Sequence, residues 1–506
     1  MLRFILRRFG SSLLVMLGAS LLMYVLVINS GDPLADLRES TSSNREQLIA
    51  QRTKSLGLDL PWYQRYWTWL TGVSKCVIGA CDFGLNRQGL HVNDLLGLAV
   101  SSTMRLVIIA TVLAIFIGIA VGIITAIRQY SGLDYAVTFL TFLFFSLPVF
   151  WAAVLLKEYL AIGFNNWIAN PTYPLLATLI IAVVLGIVAQ AVLGGNAKRR
   201  LLTFGATLGF VVLVLQILAW TNFARTPRVG PAVVLLLAAA TAVGATVLLA
   251  GLHNRRVLYA GLISAGLSLP IYYATHGLLL EPNWTLLLLL GLSTIVVGII
   301  IGQLVGGFSK RVASTVAAIT AFVSGLIILV DKVLVYYWPV YLGRISRPIG
   351  TIGSETPNFS GTFWEEFIDK GTQLLLPTIL LTLISIASYS RYTRGSMLEV
   401  SKQDYIRTAR AKGLSERQVI IKHAFRNSLI PITTIMAFDF AGLIGGAVIT
   451  ERVFGWKGMG DLFSQALTAV DPNPVMAFFV VTGASAIFFN LVADILYAVL
   501  DPRIRV

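Results

Sequence analysis

The sequence predicts an all-α protein built into a membrane, and three observations predict it. Of 506 residues, 56% are hydrophobic and only 12% charged, with a mean hydropathy of +0.79, values that a water-soluble domain of this size does not tolerate. Apolar runs of roughly twenty residues recur along the chain, each long enough to cross a bilayer as a helix. The formal charge of +15 is concentrated in short connections between those runs. That is how cytoplasmic loops are built, and it points away from nucleic acid as a partner.

About twelve spans follow in order. Arg3, Arg7 and Arg8 precede the run Gly10–Asn29, and no small-residue cleavage site comes after it. An uncleaved anchor with its N-terminus inside is expected. Residues 31–99 then lie outside, with the aromatic residues Trp62, Tyr63, Tyr66, Trp67 and Trp69, expected to sit at the interface or pack a small cap rather than bind a ligand. Cys76 and Cys81 are the only cysteines. Both fall on the oxidising side, where a small disulfide-closed loop is one reading and two unpaired thiols the other. The second span, about 102–126, carries Gly118 and Gly122 at the spacing that lets helix backbones approach. Arg128 and Asp134 mark a short inside loop. The third span, about 135–162, contains Pro148, expected to kink it, and Lys157 and Glu158 near its outer end.

Six further apolar runs lie near 174–194, 202–220, 231–251, 257–273, 284–306 and 312–338. The sets Lys198 to Arg200, Arg255 with Arg256, and Lys310 with Arg311 fall at every second connection, on the side of Arg3, Arg7 and Arg8. Arg225 and Arg228 go against that pattern. Asp331 and Lys332 read as a structural pair rather than a proton path. After an outside loop, 341–371, the tenth span is expected at about 372–389, the eleventh at about 430–450 and the twelfth at about 477–500, with both termini in the cytoplasm. Asp439 in the eleventh span either packs or lines a pathway. Asn490 and Asp494 in the twelfth read first as helix-to-helix hydrogen bonds, with pathway lining as the alternative.

Between the tenth and eleventh spans lies the one long polar stretch, Ser401–Pro431, SKQDYIRTARAKGLSERQVIIKHAFRNSLIP. From Arg391 to Arg426 there are nine Lys and Arg against three Asp and Glu, which places it in the cytoplasm. Ser401 with Asp404, and Ser415 with Gln418, have capping-box spacing, and Gly413 stands where a helix would stop. The first of the two helices should run about eleven residues, with Tyr405, Ile406 and Ala409 on one stripe. It is a compact knob suited to a groove in another protein. The chain holds no nucleotide-binding loop, no zinc-protease helix and no nucleophile elbow. No ATPase site of its own, no catalytic set and no cofactor are expected. His91, His253, His276 and His423 lie in separate loops without metal-ligand spacing.

The stretch DYIRTARAKGLSERQVIIKHAFRNSLIP resembles the cytoplasmic EAA loop of ABC importer permeases, in the form found in the dipeptide, oligopeptide and nickel family. ILRRFGSSLLVMLGASLLMYVLVINSGDP at the start, SLPVFW at Ser146–Trp151, and ERVFGWKGMGDL followed by NLVADILYAVLDPRIR agree in the same order. The N-terminal form is similar to the B-type subunit. The resemblance covers about 1–163 and 350–506. It implies six core helices, a C-type partner permease, cytoplasmic ATP-binding subunits that use ATP and Mg, and an extracytoplasmic solute-binding protein. By position Arg407, Thr408 and Ala409 stand where the family has Glu-Ala-Ala, and Gly413 is the family glycine. Asp404, Tyr405, Arg410, Ala411 and Lys412 complete the element expected to couple to the ATPase. The missing Glu and the distant Pro431 are features of the peptide branch. The block of about six extra spans at 164–349 has no counterpart in the resemblance, which leaves shielding the core, contacting a partner or binding lipid as its open roles. The function implied is passage of short peptides, with nickel or another small solute as the alternative. A stand-alone twelve-helix secondary transporter fits less well, because charges are few and the halves do not match. A membrane-embedded enzyme has no clustered catalytic set to support it.

Overall fold

In the computed structural model the chain is helical, and among the described residues the only β pairing is an isolated bridge between Leu85 and His91. The structure describes residues 2–429, 431–433, 435–436, 439 and 447–500; for 2–9, 417 and 493–500 it describes the backbone alone. The chain divides into two compact units, one made of 1–160, 351–354 and 374–506, the other of 161–350 and 355–373.

The first unit opens with α1 (Leu2–Ile28), which packs on the helix Pro472–Leu500. The short helices α2 (Ala35–Glu39), α3 (Arg45–Ser55) and α4 (Trp62–Ser74) follow. Tyr66 and Trp69 of α4 are buried against Tyr24 and Met476, whereas Trp62, Tyr63 and Trp67 stay exposed. One aromatic cluster thus serves both as packing and as exposed surface. Next come α5 (Val92–Ile127), α6 (Gly132–Ser146) and α7 (Val149–Leu155). Proline excludes the helical conformation from the residue before it, and Leu147 accordingly takes ψ 127°. The chain turns by 107° there. The expected single kinked span is therefore a broken one, corrected by the steric demand of Pro148 on Leu147.

From α7 a π-helical turn, Leu156–Ile162, leads into α8 (Gly163–Ala169) and the second unit. Its long helices are α9 (Leu175–Leu193), α10 (Ala197–Trp220) and α11 (Gly230–Leu249), then α12 (Arg255–Gly266) continued by α13 (Ser268–Ala274), α14 (Trp284–Val305) and α15 (Lys310–Tyr336), closed by α16 (Trp338–Arg344). Asn196 and Asn283 cap α10 and α14 with their side chains. Lipid is as apolar as leucine, so helices here associate through small residues that admit close contact. A Cβ on Gly298 would stand 2.4 Å from Ala318 Cα and one on Gly302 2.2 Å from Ser314 Cα, so α14 and α15 touch backbone to backbone. Ala238, Ala242, Ala260 and Ala317 are fully buried between neighbouring helices. Asn165 and Ile349 exchange two hydrogen bonds, 2.8 and 3.0 Å, which tie the two ends of the unit together.

α17 (Phe363–Ser401) starts in the second unit and continues through the first, followed by α18 (Asp404–Ala411). Among the described residues ten helical segments are long and apolar enough to cross a membrane, or eleven if the bent pair at Pro148 is one span. The expected eleventh span, 430–450, lies largely outside the described residues.

Candidate functional site

The polar stretch after α17 folds as a short lever. α18 is eight residues long, shorter than expected, because α17 runs on to Ser401. Ser401 does not cap α18: its hydroxyl donates to the Met397 carbonyl of its own helix at 2.6 Å, and the N-cap is Gln403, which makes no side-chain cap bond. Ser415 does cap the next helix, accepting from the Gln418 amide at 3.4 Å. Gly413 has φ +75°, a left-handed conformation that only glycine takes without strain.

Ile406 and Ala409 are buried with Met397, Val419 and Ala424, against the C-terminal ends of α5 and α17. Tyr405 was expected on the same stripe, but it is 43% exposed. Adjacent residues on a helix point about 100° apart, so Ile406 facing inward turns Tyr405 out. The outward face carries Asp404, Tyr405, Arg407, Thr408, Ala411 and Lys412, all exposed. Arg410 bonds Glu416 at 2.8 Å across the Gly413 turn, which sets the angle between α18 and the segment after it. That segment becomes π-helical from Val419 to Phe425. The geometry presents a polar face, with Arg407 and Lys412 against Asp404, to the outside and holds it on an apolar seat.

Behind the seat, α5 and α17 are in direct backbone contact. A Cβ on Gly118 would lie 2.5 Å from Tyr389 Cβ, and one on Gly122 would lie 2.6 Å from Thr393 Cβ and 2.7 Å from the Ser390 carbonyl. Arg394 of α17 grips Asp134 of α6 with two hydrogen bonds of 2.9 Å, and Asp134 also accepts from the Tyr130 amide. Asp439 lies within electrostatic reach of the buried Tyr389 hydroxyl. Asn490 is half-buried, and the side chain of Asp494 is outside the described residues.

At the other end of the unit, Cys76 and Cys81 are joined by a disulfide. Arg87 bonds Asp36 at 2.6 Å and the Ala469 carbonyl at 2.9 Å, and its amide donates to Asp471 at 2.6 Å. Burial pushes the Asp471 carboxyl up from 3.8 to about 6, and the Arg87 amide and charge offset only part of that. Asp36 is also pushed up by desolvation, but bonds and charge from Arg52 and Arg87 outweigh this and leave it below the usual carboxylate value.

Sequence reasoning singled out ERVFGWKGMGDL only as a resemblance and missed what Glu451 does. Its fully buried carboxylate accepts from Thr103 Oγ1 at 2.6 Å, from the Gly460 amide at 2.7 Å and from the Asp461 amide at 3.2 Å. A Cβ on Gly458 would fall 2.5 Å from that carboxylate, and one on Gly460 would fall 3.0 Å from it. The two glycines two residues apart were the available signal, since they clear the space that the carboxylate fills. Lys157 was expected to pair or reach the interface, and its ammonium donates to the Val453 carbonyl at 2.8 Å. Among the described residues no group of three His, Cys, Asp or Glu could hold a metal.

Two family models match the chain. The binding-protein-dependent transport system inner membrane component matches 294–506, and the N-terminal component of the same systems matches 1–85. The oligopeptide permease OppB of Mycobacterium tuberculosis is 44% identical over 154 residues, which is 30% of this chain and 47% of that protein. The oligopeptide permease AppB of Bacillus subtilis is 44% identical over 137 residues (27% and 43%), and the dipeptide permease DppB of Escherichia coli is 44% identical over 139 residues (28% and 41%). The chain thus spans under half the length of each of these relatives. With matches at both ends, helical architecture among the described residues and an exposed lever following its longest described helix, the chain is similar to binding-protein-dependent transport inner-membrane components and, over its matched parts, to the permeases named above.

Proposed function

We propose that this chain, with a C-type partner permease, forms the membrane pathway of an ATP-driven importer of short peptides. In this reading α18 docks into a cytoplasmic ATP-binding subunit, and an extracytoplasmic solute-binding protein delivers the peptide. The partner subunits use ATP and Mg, and this chain has no hydrolytic site. The observation that carries the proposal is the two-faced α18: Ile406 and Ala409 fix it to the ends of α5 and α17, while Tyr405, Arg407, Thr408 and Lys412 face outward. A segment built only for packing would not keep that polar face exposed. The relatives named as oligopeptide and dipeptide permeases support peptides as the substrate class. The basic loops support a cytoplasmic position for α18 and for both termini.

Co-purification tests it. Tyr405→Ala with Arg407→Glu should lower the amount of ATPase recovered with the chain by about tenfold, with its melting temperature unchanged. Undiminished recovery together with normal peptide uptake would remove the coupling role. Because Ala409 is inward-facing, Ala409→Trp should act differently, lowering the melting temperature as well as the association.

A further inference from the structure

A cavity of about 620 Å3 lies in the second unit among α12, α13, α14 and α15. Its wall is apolar, with Ile271, Leu279, Leu287 and Ile328 among the lining residues, and it opens at Leu288 and Leu292, both exposed. In a bilayer such an opening meets hydrocarbon rather than water. The volume is in the range of pockets that hold a whole small ligand.

A buried cation stands one turn from this wall, near the end of α15 remote from Lys310 and Arg311. Lys332 is only 5% exposed, and four residues from Ile328 it shares the face of α15 that lines the cavity. The neighbouring Asp331 acts on it only through space, with no ion pair or hydrogen bond between them among the described residues. That carboxylate accepts from the Val229 and Gly230 amides, each at 3.0 Å, and from the Tyr272 hydroxyl at 2.6 Å. It is committed to the N-terminus of α11 and offsets that helix dipole. The Lys332 ammonium instead sits 3.5 Å from the Tyr272 ring centroid and 6.0 Å from that of Tyr336. Among the described residues it has neither a hydrogen bond nor an ion pair. His276 packs on the same Tyr336 ring at 5.2 Å, and its buried Nδ1 has no hydrogen-bond partner. Thr275 beside it lines the cavity. An ammonium held inside a membrane is costly when its one neighbouring carboxylate is bonded elsewhere, and such groups mark sites that take a further anion.

We propose that the second unit binds an anionic phospholipid, its phosphate against Lys332 and His276 and one acyl chain in the cavity. A zwitterionic lipid has a weaker claim, since its own ammonium competes with Lys332 for the phosphate. Free phosphate would leave the apolar volume empty. The inference does not depend on the transport reading.

The test uses the delipidated full-length chain with its co-purifying subunits, and phosphatidylglycerol carrying a diazirine in one acyl chain. Photolabel should map to peptides within 264–329, with phosphatidylcholine bearing the same diazirine labelling about tenfold less. Lys332→Met should reduce the phosphatidylglycerol label by a similar factor. So should Gly291→Leu, which leaves the charge alone and fills the cavity, because a Cβ at Gly291 meets only Phe322, at 3.8 Å. If Lys332→Met does not fold, the ratio of the two lipids and Gly291→Leu decide. Equal labelling by the two lipids, or undiminished labelling of the variants that fold, overturns the proposal. So does inorganic phosphate that raises the melting temperature as much as phosphatidylglycerol does.

Discussion

Asp471 shows how much one carboxylate in a loop can be made to depend on its surroundings. It is 2% exposed at the N-terminal edge of the last helix and is bonded to the Arg87 amide. Its value rises with burial to about 6. A raised value in the folded state means that the folded chain holds the proton more tightly than the unfolded one. The stabilisation is fully present below about pH 4 and is lost as pH climbs through 6. Asp471→Asn has no such dependence. The melting temperature of the native chain minus that of the variant should therefore fall between pH 4 and pH 7, and a constant difference would show that Asp471 is not shifted. A second residue-scale prediction concerns Cys76 and Cys81, which the structure joins. Both should resist a thiol-directed label until a reductant is added, as measured by the mass of the intact chain. Their proximity could be read from the sequence, but the bond itself could not, because spacing alone does not place two Sγ atoms.

At the scale of elements, the pairing of α5 with α17 is a contact sensitive to added volume. Gly122→Leu must push against Thr393 and the Ser390 carbonyl, a clash that costs roughly 1–3 kcal/mol. A lower melting temperature and reduced uptake should follow. Gly97→Ala on the same helix, where nothing lies within 4 Å of the new Cβ, should leave both unchanged. The grip of Arg394 on Asp134 is a second joint. Removing one partner of an inward-facing pair costs more than the pair is worth, because the other charge is stranded. Asp134→Ala should thus destabilise the chain more than Asp134→Ala combined with Arg394→Met, and equal effects would show that the two side chains act independently. The helix breaks here were legible where chemistry leaves one choice, as at Gly413 with its positive φ and at Ser415 with its cap. Ser401 misled because a serine four residues after a helical carbonyl can bond backward as readily as forward. Nothing local in the sequence says which. Pro148 was recognised, but the size of the bend depends on the conformation forced on Leu147.

For the molecule as a whole, helical class and a many-span membrane architecture could be read directly, with ten or eleven of the expected twelve or so spans among the described residues, since a bilayer demands long apolar runs and leaves its mark on composition. What each run packs against could not, because runs of Leu, Val and Ala are nearly interchangeable in sequence. Asp331 and Lys332 illustrate the point: consecutive residues suggest a pair, yet consecutive positions on a helix do not face each other, and Asp331 turned to α11. The second unit has its own interior of small residues, so damage there should stay there. Gly302→Leu, which drives a side chain into the Ser314 backbone, should make the segment 230–336 sensitive to protease without lowering recovery of the ATPase proposed to dock on α18. Lowered recovery would mean that the lever depends on that bundle. The meeting of α5 and α17 has one more consequence. Where Gly118 and Gly122 face α17, the missing side chains of α5 leave notches that Tyr389 and Thr393 fill, so that stretch of contact sets the axial register of the two helices like teeth in a rack.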